Sequence, residues 1–326
     1  MKAITQDRFG SSGVLRFSDV DRPVPADDQV LVRVQAAALN ARDWHVMRGD
    51  PYLARASAEV GLRVPAHRIR GTDFAGRVEA VGRAVTGLRA GDEVFGEAPG
   101  AFAEYVCAPA RHVAPKPAGL SFEEAAALPL AGNTALIGVR DVVRARAGRR
   151  LLINGASGGV GTFAVQIAKA YGAEVTAVCG ARNVDLVRSL GADHVVDYSR
   201  DDFARAGQRH DAVLDLVGNR SLADLRRVLT PDGTLALSGG GVFTGGSFFG
   251  PIGLLVRGRL LSLFVRQRIV RFDAPPSRAN LVTLAEFAES GKVRPVVDRT
   301  FPLAAAAEAM RYQEAAHARG KVIITV

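Results

Sequence analysis

Leu151 to Asn154 is a short apolar run that breaks into Gly155-Ala156-Ser157-Gly158-Gly159-Val160-Gly161, and beyond it apolar residues recur at 160, 163, 164, 167, 168 and 171. That recurrence is one stripe of a 3.6-residue helix, so the stretch predicts a strand, a glycine turn and a helix over Val160 to Tyr171. Glycines at 155, 158, 159 and 161 let a phosphate approach the backbone where a Cβ would obstruct it. The helix start offers unpaired N–H groups and the positive end of its dipole to that phosphate. The run departs from strict G-x-G-x-x-G, because Ala156 and Ser157 follow the first glycine. In isolation it also reads as a tight strand–helix turn with no ligand.

The next residues narrow the choice. Glu174 to Cys179 reads as a second strand, Val184 to Leu190 as a helix and His194 to Asp197 as a third strand. Asp211 to Val217 is a fourth strand, Ser221 to Leu229 a helix and Thr234 to Leu237 a fifth strand. This alternation predicts an α/β fold with a doubly wound parallel sheet, and ligands of such sheets bind at the carboxyl ends of the strands, where the glycine turn lies. After the second strand an NAD enzyme usually carries Asp or Glu for the ribose hydroxyls. Here the residues are Cys179-Gly180-Ala181-Arg182-Asn183, with no carboxylate. Arg182 suits a 2′-phosphate, and Tyr198 follows the third strand within reach of the same group, so NADPH is expected over NADH. The plainer reading of Arg182 is a solvated residue at a helix start.

At 326 residues the chain suits two domains. No apolar stretch is long enough to span a membrane, and Met1-Lys2-Ala3-Ile4 runs straight into a strand-like pattern, so no signal peptide is expected. Two cysteines, Cys107 and Cys179, make neither a disulfide framework nor a four-thiolate zinc site, and a reducing, cytoplasmic setting is the default. The net charge of +9 comes mainly from arginines spread along the chain rather than gathered on one face, which argues against a nucleic-acid partner.

Residues 1 to about 118 read as a β-rich unit, with strands at Val30–Ala36, Gly76–Gly82, Gly91–Gly96 and Ala101–Ala108 and a closing His112–Pro117, separated by glycines and prolines as in a small barrel. Ser121-Phe122-Glu123-Glu124 is a capping box opening a helix. The glycine-rich Gly239–Gly246 follows the fifth strand and is expected near the nicotinamide. Phe248 to Phe272 mixes Phe and Leu with five arginines. Such a segment covers a pocket or a dimer interface, or lies on a membrane surface, the least favoured of these. Helices are expected over Asn280–Ser290 and Ala304–Glu314, a strand pair over Val293–Phe301 and a last strand over Lys321–Val326 that returns to the first domain.

Several motifs together resemble the medium-chain dehydrogenases/reductases. They are Ala38-Leu39-Asn40-Ala41-Arg42-Asp43-Trp44 with Arg48-Gly49, Gly71-Thr72-Asp73-Phe74-Ala75-Gly76, Ala131-Gly132-Asn133-Thr134-Ala135, the glycine turn, Leu190-Gly191-Ala192-Asp193, Asp197-Tyr198 and His317-Ala318-Arg319-Gly320-Lys321-Val322. The resemblance spans essentially the whole chain and is to the zinc-free quinone oxidoreductase branch, in particular the reticulon-4-interacting-protein-like NAD(P)-dependent reductases. It implies a Rossmann domain over 121–260 and a discontinuous GroES-like domain over 1–120 and 261–326.

It also implies roles. Zinc-dependent members use Cys where this chain has Asn40, His-Glu where it has Thr72-Asp73, and Cys near Leu130. Only Asp73 is a zinc-ligand type, and a catalytic zinc needs three such ligands, so no metal is expected. Without a Lewis acid, an electron-poor acceptor such as a quinone or an α,β-unsaturated carbonyl suits hydride transfer better than a simple alcohol. Zinc-independent alcohol or aldehyde reduction and a non-catalytic NADPH-binding or redox-sensing role are the alternatives. Asn40 and Tyr52 are the candidate catalytic residues, as polar groups for the acceptor oxygen; a turn-stabilising amide and a surface aromatic are their plain readings. The implied cofactor contacts are Thr134 at the nicotinamide, Ser157, Gly158, Gly159, Val160 and Gly161 at the pyrophosphate, and Gly180, Arg182 and Tyr198 at the adenosine end. Val217 lies at the nicotinamide ribose, and His317, Arg319 and Lys321 belong to a tail closing over the cofactor. A homodimer through the nucleotide domain is expected.

Overall fold

The computed structural model describes residues 1–238, 246, 248–250, 252–315 and 318–326. The glycine turn leaves the strand Arg150–Asn154, which lies inside a six-stranded parallel sheet. From one edge to the other the strands run His194–Asp197, Glu174–Cys179, Arg150–Asn154, His210–Asp215, Leu229–Leu237 and Arg268–Arg271. The strand order reverses between Arg150–Asn154 and His210–Asp215, and that switch point opens the crevice in which doubly wound sheets bind their ligands.

Side-chain alternation along the strand explains the two layers of core. Leu151 and Ile153 are buried with Phe163, Ala164 and Ile167 of the helix Gly159–Ala170. Leu152, between them, is buried on the other side with Val213, Leu225, Leu235 and Ile269.

The sixth strand was not expected. Arg268–Arg271 has only Ile269 and Val270 between charged ends, too little apolar sequence to stand out within Phe248–Phe272. It follows the helix Ile252–Leu261, and the sheet therefore continues past residue 260, the expected end of this domain. The apolar residues of that segment are divided between core and surface. Leu254, Leu255 and Leu261 pack inward, while Phe248, Phe249, Leu260, Leu263 and Phe264 are exposed. The expected Gly239–Gly246 loop lies outside the described residues except for Gly246.

A second sheet has the order Val297–Pro302, Lys321–Thr325, Gln29–Ala38, Asp73–Val81, Glu93–Glu97 and Val113–Pro115, with Tyr105–Pro109 also pairing with Gln29–Ala38. The C-terminal strand runs antiparallel to Gln29–Ala38, with Ile323 opposite Ala38, so the tail is built into the N-terminal domain. Val297–Pro302 is one strand parallel to that tail, not a strand pair. The capping box forms as read: the Glu124 N–H donates to Ser121 Oγ at 3.2 Å and the Ser121 N–H to Glu124 Oε2 at 2.9 Å.

One further helix, Ala41–Arg48, starts at Asn40. Its polar composition hides it from periodicity, yet it buries Trp44 and Met47, and Gly49 ends it in the left-handed region with φ 59°.

Candidate functional site

The glycine turn presents the N-terminus of a 12-residue helix to the crevice. Gly155 has φ +85°, where a side chain is strained. A Cβ on Gly161 would stand 2.1 Å from the Gly155 carbonyl oxygen, so the helix abuts the turn only because that atom is missing. Gly158 differs: its backbone is extended and a Cβ there would meet nothing in the protein closer than 3.5 Å. The turn therefore leaves room on its outer side, with the first N–H groups of the helix behind it.

Residues that follow the neighbouring strands gather around this turn. A Cβ on Gly180 would stand 2.9 Å from the Tyr198 hydroxyl, so the tyrosine lies across the glycine, with 59% of its surface exposed. Arg182 is exposed beside them and close enough to Tyr312 to act on its phenol. Val217 packs at the turn, its Cγ2 2.6 Å from where a Gly155 Cβ would be, and its N–H donates to Asp215 Oδ1 at 3.2 Å. Asp215 also accepts from Asn154 Nδ2 at 2.8 Å and so fixes the ends of both switch-point strands. Thr134 is half-buried on the helix Pro129–Leu136 and spends its hydroxyl on the Leu130 carbonyl at 2.7 Å.

Sequence reading missed Asn183. It is buried, donates from Nδ2 to Ser157 Oγ at 3.0 Å, and keeps Oδ1 without a partner among the described residues. Its adjacency to Arg182 was visible, but its reach to Ser157 exists only in the fold. An open glycine turn, a helix N-terminus and an uncommitted buried amide oxygen fit a bound dinucleotide.

The tail forms the other side. The Gly320 N–H donates to the Ser157 carbonyl at 2.9 Å, and Gly320 bridges Gly158 in parallel. Lys321 then passes beneath the turn, its Cδ 3.1 Å from where a Gly159 Cβ would be. Expected at the cofactor, the Lys321 ammonium is instead buried among oxygens: the Leu39 carbonyl at 2.9 Å, Asn40 Oδ1 at 2.5 Å and Asp73 Oδ2 at 3.5 Å. Arg319 is exposed, and His317 lies outside the described residues.

Asn40 is 7% exposed, and its own N–H donates to Asp43 Oδ2 at 2.8 Å. Its amide lies close enough to Asp73 to favour the charged carboxylate, while Nδ2 completes no hydrogen bond. Asp73 is fully buried and accepts from the Leu130 N–H at 3.3 Å. Burial pushes its carboxyl up to about 6, against the pull of Lys321 and Asn40. Opposite it in the sheet, Glu97 has no hydrogen-bond partner among the described residues, and burial and the nearby Asp73 push it up to about 8. Burial pulls Lys321 below the ordinary lysine range, while Asp73, Asp43 and Glu97 pull it back.

Tyr52 stands on a separate loop. It opens the short turn Tyr52–Ala56, is 46% exposed, and has the Arg55 guanidinium over its ring at 4.8 Å. The loop docks on the nucleotide domain: Asp50 accepts from the Gly246 N–H, and the Leu53 N–H donates to the Phe248 carbonyl at 3.2 Å. Cys179 ends the strand before Gly180 and its carbonyl accepts from the Tyr198 N–H at 3.0 Å, while burial pushes its thiol up to about 11; Cys107 is half-buried on the strand Tyr105–Pro109.

Comparison with known proteins gives the family. The alcohol dehydrogenase GroES-like domain model matches residues 26–118 and the zinc-binding dehydrogenase model residues 190–324. The human mitochondrial NAD(P)H oxidoreductase RTN4IP1 is 34% identical, over 100% of this chain and 89% of its own. The chloroplastic NADPH-dependent alkenal/one oxidoreductase of Arabidopsis thaliana is 34% identical, over 99% and 79%. Escherichia coli quinone oxidoreductase, solved in complex with NADPH, superposes with a TM-score of 0.85 at 25% identity, covering 100% of both chains. The chain belongs to the medium-chain dehydrogenase/reductase superfamily, in its quinone oxidoreductase branch.

Proposed function

We propose that the protein is a zinc-independent, NADPH-dependent reductase that passes hydride to a quinone or an α,β-unsaturated carbonyl. The observation that carries this reading is the meeting, at Gly320 and Lys321, of the open glycine turn with the buried group around Asn40. The donor set does not fit zinc. Asn40 and Thr72-Asp73 stand where the resemblance puts Cys and His-Glu in zinc-dependent members, Asp73 is the one ligand type among them, and among the described residues no three His, Cys, Asp or Glu side chains converge on one point. No step is therefore routed through a metal.

NADPH, when bound, supplies the hydride. The N–H groups of Gly159, Val160 and Gly161 would hold the pyrophosphate over the open side of Gly158, whose own N–H is donated to the Gly155 carbonyl, with Ser157 and Asn183 beside them. Arg182 and Tyr198, beside Gly180, would take the 2′-phosphate, and Val217, Thr134 and Arg319 are the further residues that would contact the cofactor. Hydride addition to the β-carbon of an enone drives an electron pair onto the carbonyl oxygen, and water then returns a proton to the α-carbon. The protein's share is to hold the acceptor against the nicotinamide and to aim polar groups at that oxygen. Tyr52, exposed on the docking loop, is our first candidate to donate to that oxygen, and Asn40, held by Lys321, is the second.

A homodimer through the nucleotide domain is part of the proposal. The sheet ends at Arg268–Arg271 with no further strand among the described residues, and exposed Leu260, Leu263 and Phe264 lie next to that edge. No helix among the described residues is long and apolar enough to cross a membrane, and the two free cysteines suit a reducing compartment such as the cytoplasm.

Steady-state assays with a panel of quinones, enones and saturated aldehydes, using NADPH or NADH and with or without a zinc chelator, test the reading. Turnover confined to conjugated acceptors, faster with NADPH and indifferent to chelator, is expected. Preference for saturated aldehydes would make it a carbonyl reductase, and NADPH binding with no turnover would make it a binding protein.

A further inference from the structure

We propose that Lys321 is a positioning residue, which ties the glycine turn to the Asn40 amide at the start of Ala41–Arg48. The proposal rests on the reading of this cleft as a reductase site. Three observations carry it. First, an ammonium has donors only, so Asn40 must turn its oxygen toward Lys321, and the orientation of the amide is fixed by charge rather than by packing. Second, Lys321 also donates to the Leu39 carbonyl, the residue that precedes the Asn40 cap, so the entry into Ala41–Arg48 is held at two points. Third, the same residue is stitched to the nucleotide domain. Gly320 is bonded to Ser157 and paired with Gly158, and the Lys321 side chain lies against Gly159. One side chain therefore spans from Gly159 of the turn to the Asn40 amide.

A buried cation is retained at such a place only with compensation. Asp73 faces it at 3.5 Å, Asp43 and Glu97 add negative charge, and Arg70 and Arg42 act in turn on Asp43, and Arg42 on Glu97. A surface lysine reaching for a phosphate would have none of this surrounding structure.

The test uses Lys321→Met, and Lys321→Met/Asp73→Asn in case the single variant leaves the carboxylate unpaired and fails to fold. Three quantities are read: NADPH affinity by fluorescence titration, kcat and KM for the acceptor, and the side-chain amide resonances of Asn40. The expected result is NADPH affinity within about threefold of the parent, acceptor kcat/KM lower by about 10- to 100-fold as for a displaced positioning group, and displaced or broadened Asn40 resonances. An NADPH affinity that falls at least about tenfold while kcat holds would make Lys321 a cofactor contact and overturn the proposal. Unchanged Asn40 resonances would overturn it as well. If the parent protein reduced no quinone or enone, the reductase reading would fall, while the Asn40 resonances would still decide whether Lys321 orients that amide.

Discussion

Two glycines three residues apart separate folding from binding. Gly161→Ala sets a Cβ against backbone at 2.1 Å, which cannot yield without moving the helix off the turn. It is expected to lower stability by about 1–3 kcal/mol, as overpacking does, and to weaken NADPH binding as well. Gly158→Ala meets ordinary contacts only and keeps an extended backbone, so thermal melting should be unchanged while NADPH affinity falls. Equal loss of melting temperature in both variants would contradict the assignment of the turn's outer side to the cofactor. Arg182→Ala should reduce the preference for NADPH over NADH about tenfold, the cost of one charge-assisted hydrogen bond, with NADH kinetics unchanged. The strand, turn and helix around Gly155 were legible because their pattern is local to the sequence. Asn183 and Lys321 were not, because a side chain's identity gives its reach but not its partner.

At the scale of elements, the pairing of Asp73–Val81 with Glu93–Glu97 sets Asp73 opposite Glu97, two buried carboxylates on adjacent strands. Both are raised by folding, to about 6 and about 8, so the folded chain binds more protons than the unfolded chain between their ordinary and raised values. The stability they contribute is present in acid and lost as pH rises through those values. Glu97→Gln should therefore raise the melting temperature at pH well above 8, at about 2–4 °C per kcal/mol recovered, with the gain fading toward acid pH. A gain independent of pH would show that Glu97 is not ionising inside the fold. The strands of the parallel sheet were readable from alternation with helices, because strands buried on both faces are continuous apolar runs. Arg268–Arg271 and Ala41–Arg48 were hidden, because each buries only a few residues and is held in place by neighbours distant in sequence.

Across the whole molecule, the last strand decides whether the N-terminal domain closes. Lys321–Thr325 lies between Val297–Pro302 and Gln29–Ala38, and it buries Val322, Ile323 and Ile324 completely. At roughly 2 kcal/mol for each of these side chains, its loss removes much of the ~5–15 kcal/mol that holds a typical protein folded. A chain truncated after Arg319 should be insoluble or lack a cooperative melt. The return of the tail was legible from its apolar run, whereas its contact with the glycine turn, which joins the two halves of the site, was not. Transfer of label from NADPH deuterated at the transferable position to an enone tests the central claim most directly. Deuterium at the product's β-carbon, with activity indifferent to zinc chelation, is the predicted result. Deuterium at the carbonyl carbon, or activity lost to the chelator and restored by zinc, would contradict it.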